Sequence, residues 1–456
     1  MSTEEKEKKR SINRLKSMYP LRALMDKNYQ AAQEAKEEGR PVAWCMQESY
    51  ASPFLNAMGI DSVYPENFGT VCAATGAATA FLERSEAEGF PNHLCGYAQN
   101  CLGYVARMTD LDWKIPPELP QGGMPKPILL VGSGMGCDAR FKWFQALGKY
   151  MDVPLWVIEF PSSYGKESLM EGAHERSIRF LVKELKAFAA FLEKLMGKKM
   201  DSAKLREDID NTMAMDAVWW EINELRKAKP GPMHSRDFWS SMSASLFRTK
   251  DPQGVTQLYK NMLVEVKDRV ENKISAINVE EKYRMIFVGL PPWHALKFFD
   301  RLAERGWNFV NEMAYHPARP IDLTGVEDPV ERLVRYRHQS VEHLIEVNFD
   351  PDEAAKIKAE MKKKDSVGAL NLKHIKDFQI DGGFLHPLLT CRTATASLNL
   401  MERGMLRHWN VPSITIEGDI VDTRLFDPED AIRKAEAFEE TMDHYKKVRH
   451  DAGMEW

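Results

Sequence analysis

At 456 residues and 52.2 kDa the chain is too long for one ordinary core, so two or more packed domains are expected. Its 44% hydrophobic and 28% charged residues are those of a globular protein, no apolar run approaches the roughly 20 residues that span a bilayer, and Met1 to Arg10 lack the apolar stretch of a secretory signal, which points to a cytoplasmic protein with no membrane attachment. The net charge of −5, with both signs interspersed and no long basic block, argues against nucleic acid as a partner, and six cysteines are too few for a disulfide framework, so they read as buried thiols or metal ligands.

Positions 1–40 read as a charged, helix-favouring N-terminal arm, apolar at Ile12, Leu15 and Met18 and later at Tyr29 and Ala32. From Pro41 the pattern changes to short apolar runs separated by helices, with strands expected at Val42–Met46, Ser62–Tyr64, Ile128–Gly132 and Pro154–Phe160 and one helix over Ala74–Glu88. These define a first α/β domain over 41–167. Between 168 and 279 the strands disappear and apolar positions follow the helical repeat, as at Ile178, Leu181, Val182, Leu185, Phe188, Leu192 and Leu195, giving a helical middle segment. Strand-like runs resume at Met285–Val288, Phe309–Val310, Gly382–His386 and Ser413–Glu417, a second α/β domain over 280–456. The lysine-rich run Lys356–Lys364 reads as a solvated helix face. The fold class expected is therefore α/β: two doubly wound parallel-sheet domains, with a helical arm and a helical middle.

Two cysteines hold equivalent places. The strand Ile128–Gly132 leads to Cys137, and Gly382–His386 leads to Cys391. Ligands of open α/β sheets bind in the crevice outside the strand carboxyl ends, so one thiol from each domain makes a site between the domains plausible. Cys95 lies in Asn92-His93-Leu94-Cys95-Gly96-Tyr97, between two expected helices. Three thiolates from three distant places suit an iron-sulfur cluster with one iron left open. The plainer alternative is three small core residues, since cysteine is among the most buried residue types and no two cysteines stand in a zinc-type C-x-x-C pair. A further alternative is a dinucleotide site, because Val131-Gly132-Ser133-Gly134-Met135-Gly136 follows a strand and Glu159 ends the next. Against it, Cys137 stands where the third glycine or alanine belongs.

At these residues the sequence resembles the family of 2-hydroxyacyl-CoA dehydratases and benzoyl-CoA reductases, from about Val42 to Met442. Tyr64-Pro65-Glu66-Asn67 is followed by Leu94-Cys95-Gly96-Tyr97, where relatives typically carry Cys-Ser-Tyr, and then by Cys137 with Lys142-Trp143-Phe144. Leu290-Pro291-Pro292-Trp293 looks like the mid-chain element of some aromatic reductase subunits. Asp381-Gly382-Gly383-Phe384-Leu385-His386 leads to Cys391-Arg392, and Ile416-Glu417-Gly418-Asp419 continues to Asp422-Thr423-Arg424-Leu425-Phe426. Each motif is short, but their order and spacing together are specific.

The resemblance implies one [4Fe-4S] cluster between the domains, with Cys95, Cys137 and Cys391 as its ligands. It implies a homologous second iron-sulfur subunit, a separate ATP-hydrolysing iron-sulfur activator that delivers single electrons at low potential, and an acyl-CoA substrate whose thioester is reduced to a ketyl-type radical anion. Three thiolates leave one iron open to an oxygen ligand. Glu66 matches a family carboxylate placed to move a proton, its plainer alternative being a helix-start carboxylate. The stretch Trp44-Cys45-Met46-Gln47-Glu48-Ser49 has glutamine or glutamate where dehydratases often carry serine. That departure, with the Pro291-Pro292-Trp293 element, leans towards the larger subunit of benzoyl-CoA reductases. A 2-hydroxyacyl-CoA dehydratase subunit is the alternative, and a homodimeric iron-sulfur reductase of small molecules outside CoA metabolism a further one. Cys45, Cys72 and Cys101 read as buried thiols.

Overall fold

The computed structural model describes residues 11–456 apart from 48, 49, 118, 162–165, 362–368, 397 and 455, so the chain before Ser11 and the end of the Lys356–Lys364 run lie outside the described residues. Each short apolar run of the sequence is a strand. β1 (Val42–Cys45), β2 (Asp61–Val63), β3 (Leu129–Ser133) and β4 (Leu155–Ile158) form one sheet in the order β2-β1-β3-β4. β5 (Tyr283–Val288), β6 (Trp307–Glu312), β7 (Gly382–Leu385) and β8 (Ser413–Thr415) form a second in the order β6-β5-β7-β8. All six pairings are parallel. The inner strands are buried along their whole length, which is why they read as unbroken apolar runs, whereas β2, β4 and β8 at the edges are partly exposed. In both sheets the winding reverses after the first crossover, between β1 and β3 and between β5 and β7. Those two switch points are where crevices open.

The edge strand β6 is an exception, buried throughout. The helical middle covers it. Helices Ala173–Met196, Ser202–Leu225, Ser235–Ala244 and Pro252–Glu271 occupy this segment. Arg226 donates to both carboxylate oxygens of Glu312 on β6 at 2.6 and 2.7 Å, with both side chains fully buried, and Ser235 Oγ adds a third hydrogen bond to the same carboxylate. Removing one member of such a pair would strand a charge in the core, so it fixes how the helices sit on the sheet. On Ala173–Met196 the residues Ile178, Leu181, Leu185, Phe188 and Leu192 form a buried stripe. Helix Pro329–Arg337, late in the chain, returns to pack Val330, Leu333 and Val334 into that same core beside β1, β3 and β4.

Two local expectations are corrected. The N-terminal arm is not helical from its start: Ile12 makes an antiparallel bridge with Ile277, and the helix runs over Leu21–Glu37, beginning after Pro20, although Ile12, Leu15 and Met18 are all buried. The expected helix over Ala74–Glu88 is two, Pro65–Thr75 and Ala78–Ala87, because Gly76 takes a left-handed conformation (φ 82°) that closes the first. One hydrophobic core reaches across both sheets, joining Trp143 and Phe144 with Phe287, Trp293, Phe384 and Phe426. Among the described residues no helix is long and apolar enough to cross a membrane.

Candidate functional site between the two sheets

Each of the three singled-out cysteines stands directly before a helix. Cys95 is the N-cap of Gly96–Asp110, Cys137 that of Asp138–Met151, and Cys391 precedes Arg392–Ala396. Helix N-termini present unpaired N–H groups and positive potential, so three of them turned on three thiols favour thiolate. The N–H groups of Tyr97 and Ala98 face Cys95, that of Arg140 faces Cys137, and those of Thr393 and Ala394 face Cys391, although neither Cys95 nor Cys137 closes a full capping hydrogen bond.

Burial opposes these donors and wins, pushing all three thiols above their ordinary pKa, Cys95 furthest. Cys391 and Cys137 raise Cys95, and Cys137 raises Cys391, which places the three within electrostatic reach of one another. Three bare thiolates here would be mutually repulsive, and a cationic centre between them would reverse the sign. Among the described residues no three His, Cys, Asp or Glu side chains gather closely enough for a single ion, whose tetrahedral sulfurs would be about 3.8 Å apart. The donor set itself, three thiols each carried by a different helix start, has the soft-ligand chemistry that an iron-sulfur core would need. By contrast Cys45, Cys72 and Cys101 are buried in apolar surroundings away from helix starts, and burial pushes Cys72 up to about 12.

The loop carrying Cys95 is latched to the second sheet. Gly96 N–H donates to Thr390 Oγ1 at 3.2 Å, and the Thr390 hydroxyl in turn donates to Asp419. Asp419, fully buried, accepts the N–H groups of Val421 and Asp422 at 2.9 and 3.0 Å. A Cβ on Gly96 would lie 2.7 Å from Asp419 Oδ1 and 3.0 Å from Val421 Cβ, a physical ground for glycine where relatives typically carry serine. The hydrogen-bond chain therefore sets Cys95 against Cys391.

Glu66, in the first turn of Pro65–Thr75 and 9% exposed, points into the same region and raises Cys137. Its Oε2 accepts Gln47 N–H at 2.9 Å and Arg140 Nη2 at 3.0 Å, while Oε1 has no hydrogen-bond partner among the described residues. Arg140 also donates to the carbonyls of Met135, at 3.1 Å, and Gln47, so one guanidinium ties the exit of β1 to the turn after β3 and to Glu66. No motif in the sequence points to Arg140. Its one signal is its place three residues after Cys137, on the helix start whose N–H groups face that thiol. Thr390 and Asp419 escape sequence reasoning likewise, although Asp419 closes the Ile416-Glu417-Gly418-Asp419 motif.

Trp293, from the Pro-Pro-Trp element after β5, donates its indole N–H to the Tyr97 hydroxyl at 2.7 Å, and Thr70 Oγ1 lies 3.2 Å from the same oxygen. Thr70 donates back to the Glu66 carbonyl at 3.1 Å. The turn after β3 has local reasons for its glycines: a Cβ on Gly134 would meet Glu159 Oε2 at 2.7 Å, and Gly136 takes φ 91°. The turn ends at Cys137, the N-cap of the following helix, with the Glu159 carboxylate packed against Gly134.

Two parallel sheets of the same strand order define a two-domain α/β protein, and the candidate site of three thiols and a carboxylate draws on both of them. Residues 50–442 match the family described as 2-hydroxyglutaryl-CoA dehydratase, D-component, and the chain belongs to that family. It is 24% identical over 421 residues to the (R)-phenyllactyl-CoA dehydratase alpha subunit of Clostridium sporogenes, a match covering 92% of this chain and 94% of that one. To the (R)-2-hydroxyisocaproyl-CoA dehydratase alpha subunit of Clostridioides difficile it is 24% identical over 435 residues, covering 93% and 96%. To a benzoyl-CoA reductase subunit of Thauera aromatica it is 23% identical over 447 residues, covering 94% of each.

Proposed function

We propose that this chain carries one [4Fe-4S] cluster on Cys95, Cys137 and Cys391 and serves as one iron-sulfur subunit of an anaerobic enzyme that activates an acyl-CoA thioester by low-potential single-electron transfer. A homologous second subunit and an ATP-hydrolysing activator complete the system. The observation that carries this reading is the convergence of three helix starts, each bearing a thiol, at the switch points of two sheets. When bound, the cluster supplies single electrons and one open coordination position.

The chain's own residues supply the rest. Gly96, Thr390 and Asp419 hold the Cys95 loop against the second sheet. Arg140 holds Glu66 by Oε2 and leaves Oε1 available to give or take a proton beside the reacting carbonyl or ring. Reducing a ring double bond consumes protons as well as electrons, so a proton carrier next to the electron source is required chemistry. The specific type we favour is reductive dearomatisation of benzoyl-CoA, supported by the Trp293 element seated on Tyr97 and by glutamine at 47. Radical elimination of water from a 2-hydroxyacyl-CoA is the second reading, supported by the family description and the dehydratase relatives.

The test is turnover by the anaerobically purified complex with activator, ATP and a reductant. Loss of aromatic absorbance with benzoyl-CoA supports the first type, and enoyl-CoA formation from 2-hydroxyacyl-CoA esters the second. Inactivity towards both classes would overturn the acyl-CoA reading and turn attention to a homodimeric reductase of other small molecules.

A further inference from the structure

Two carboxylates act on the candidate ligands, and they differ in one respect. Beyond the effect of burial, Glu66 raises Cys137 and Asp419 raises Cys391, so each is within electrostatic reach of one thiol. Glu66 is met by the Arg140 guanidinium at 3.0 Å, which balances its charge where it stands. Asp419 is fully buried and has only neutral partners. Its Oδ1 accepts the N–H groups of Val421 and Asp422 at 2.9 and 3.0 Å, and its Oδ2 accepts the Thr390 hydroxyl. Among the described residues no Lys or Arg side chain forms an ion pair with it. The Arg424 guanidinium is engaged by Asp422 at 2.8 Å and by Glu86 at 2.6 Å. His294 donates its Nε2–H to the Asp419 backbone carbonyl at 3.1 Å, and burial lowers its pKa, which keeps the ring neutral.

A buried carboxylate without a counter-ion is costly, and three hydrogen bonds to its charged form offset only part of that cost. The latch between the sheets does not require the charge. An asparagine at 419 would make the same three contacts, its oxygen accepting the two N–H groups and its amide donating to the Thr390 hydroxyl, whose oxygen has a lone pair to spare beside the Gly96 N–H. The position of the carboxylate gives the charge another use. A Cβ on Gly96, which follows Cys95, would lie 2.7 Å from Asp419 Oδ1, and Thr390, which donates to Oδ2, precedes Cys391. One unbalanced negative charge therefore stands beside the neighbours of two candidate ligands, in an interior that screens it poorly. We propose that Asp419 sets the reduction potential of the cluster: its charge opposes the electron that the cluster accepts, which makes the reduced cluster a stronger one-electron donor to the thioester. This rests on the cluster reading of the preceding section, and it gives Asp419 a part played through its field and not through contact with the reacting atoms.

The experiment is a redox titration of the anaerobically prepared full-length chain, followed by electron paramagnetic resonance, alongside iron and sulfide analysis. Asp419→Asn removes the charge and keeps the three contacts. It should retain its iron and sulfide and show about a tenfold higher ratio of reduced to oxidised cluster at a fixed potential, a rise in midpoint of about 59 mV for one electron. Thr390→Val breaks the Gly96 latch and keeps the charge, so it should not raise the midpoint. A parental midpoint in Asp419→Asn, an equal rise in Thr390→Val, or loss of iron from Asp419→Asn would overturn the inference and leave the cluster reading standing. A parent chain without iron and sulfide would remove the cluster reading and this inference with it.

Discussion

Glu66 illustrates how one side chain divides two tasks. Its Oε2 is committed to Arg140 and to the Gln47 N–H, holding three segments of the first domain together, while Oε1 makes no hydrogen bond among the described residues. Glu66→Gln keeps the shape and removes both charge and base. The variant should retain its iron and visible absorption and lose most turnover with the activator present. Parental turnover would reduce Glu66 to a helix-start carboxylate, and loss of iron would show that the carboxylate belongs to the metal-binding set. At this scale the sequence named what a motif could name. Cys95, Cys137, Cys391 and Glu66 each stand beside a recognisable strand end or helix start. Arg140, Thr390 and Asp419 act through partners up to 294 positions away, and pairings such as Gly96 with Thr390 depend on how two sheets meet, which no local pattern encodes.

Elements were legible where burial is uniform. β3 and β7 are buried on both faces and therefore appear in sequence as short apolar runs bounded by turn residues, and even the three-residue edge strands β2 and β8 fall at the expected places. The break at Gly76 was not legible, since an isolated glycine in a helical pattern is as easily tolerated as used to end the helix. Gly103 makes the same point with opposite forces. In helix Gly96–Asp110 an added Cβ would lie 1.8 Å from the Phe81 carbonyl oxygen on helix Ala78–Ala87, so the two backbones touch only because the side chain is missing. Helix propensity by itself would make Gly103→Ala stabilising by about 1 kcal/mol. The clash is with backbone, which cannot rotate away, and overpacking of this kind costs about 1–3 kcal/mol or more. Gly103→Ala is therefore expected to lower the thermal midpoint. A raised midpoint would mean that the two helices can part at little cost.

On the scale of the whole molecule, the two sheets repeat one topology and share a core that runs from Trp143 to Phe426. The helical middle covers the edge strand β6 and is fixed there by the buried Arg226–Glu312 pair, and helix Pro329–Arg337 straps the later half of the chain onto the earlier one. That arrangement brings thiols from positions 95, 137 and 391 together without a disulfide, all six cysteines being free. The central claim is that the three act as one ligand set. It is tested most directly by iron and sulfide analysis of the anaerobically prepared chain and of four single variants. The account predicts about four iron and four sulfide in the parent and in Cys72→Ala, and loss of the cluster in Cys95→Ala, Cys137→Ala and Cys391→Ala. Full iron retention in all three of those variants would contradict it.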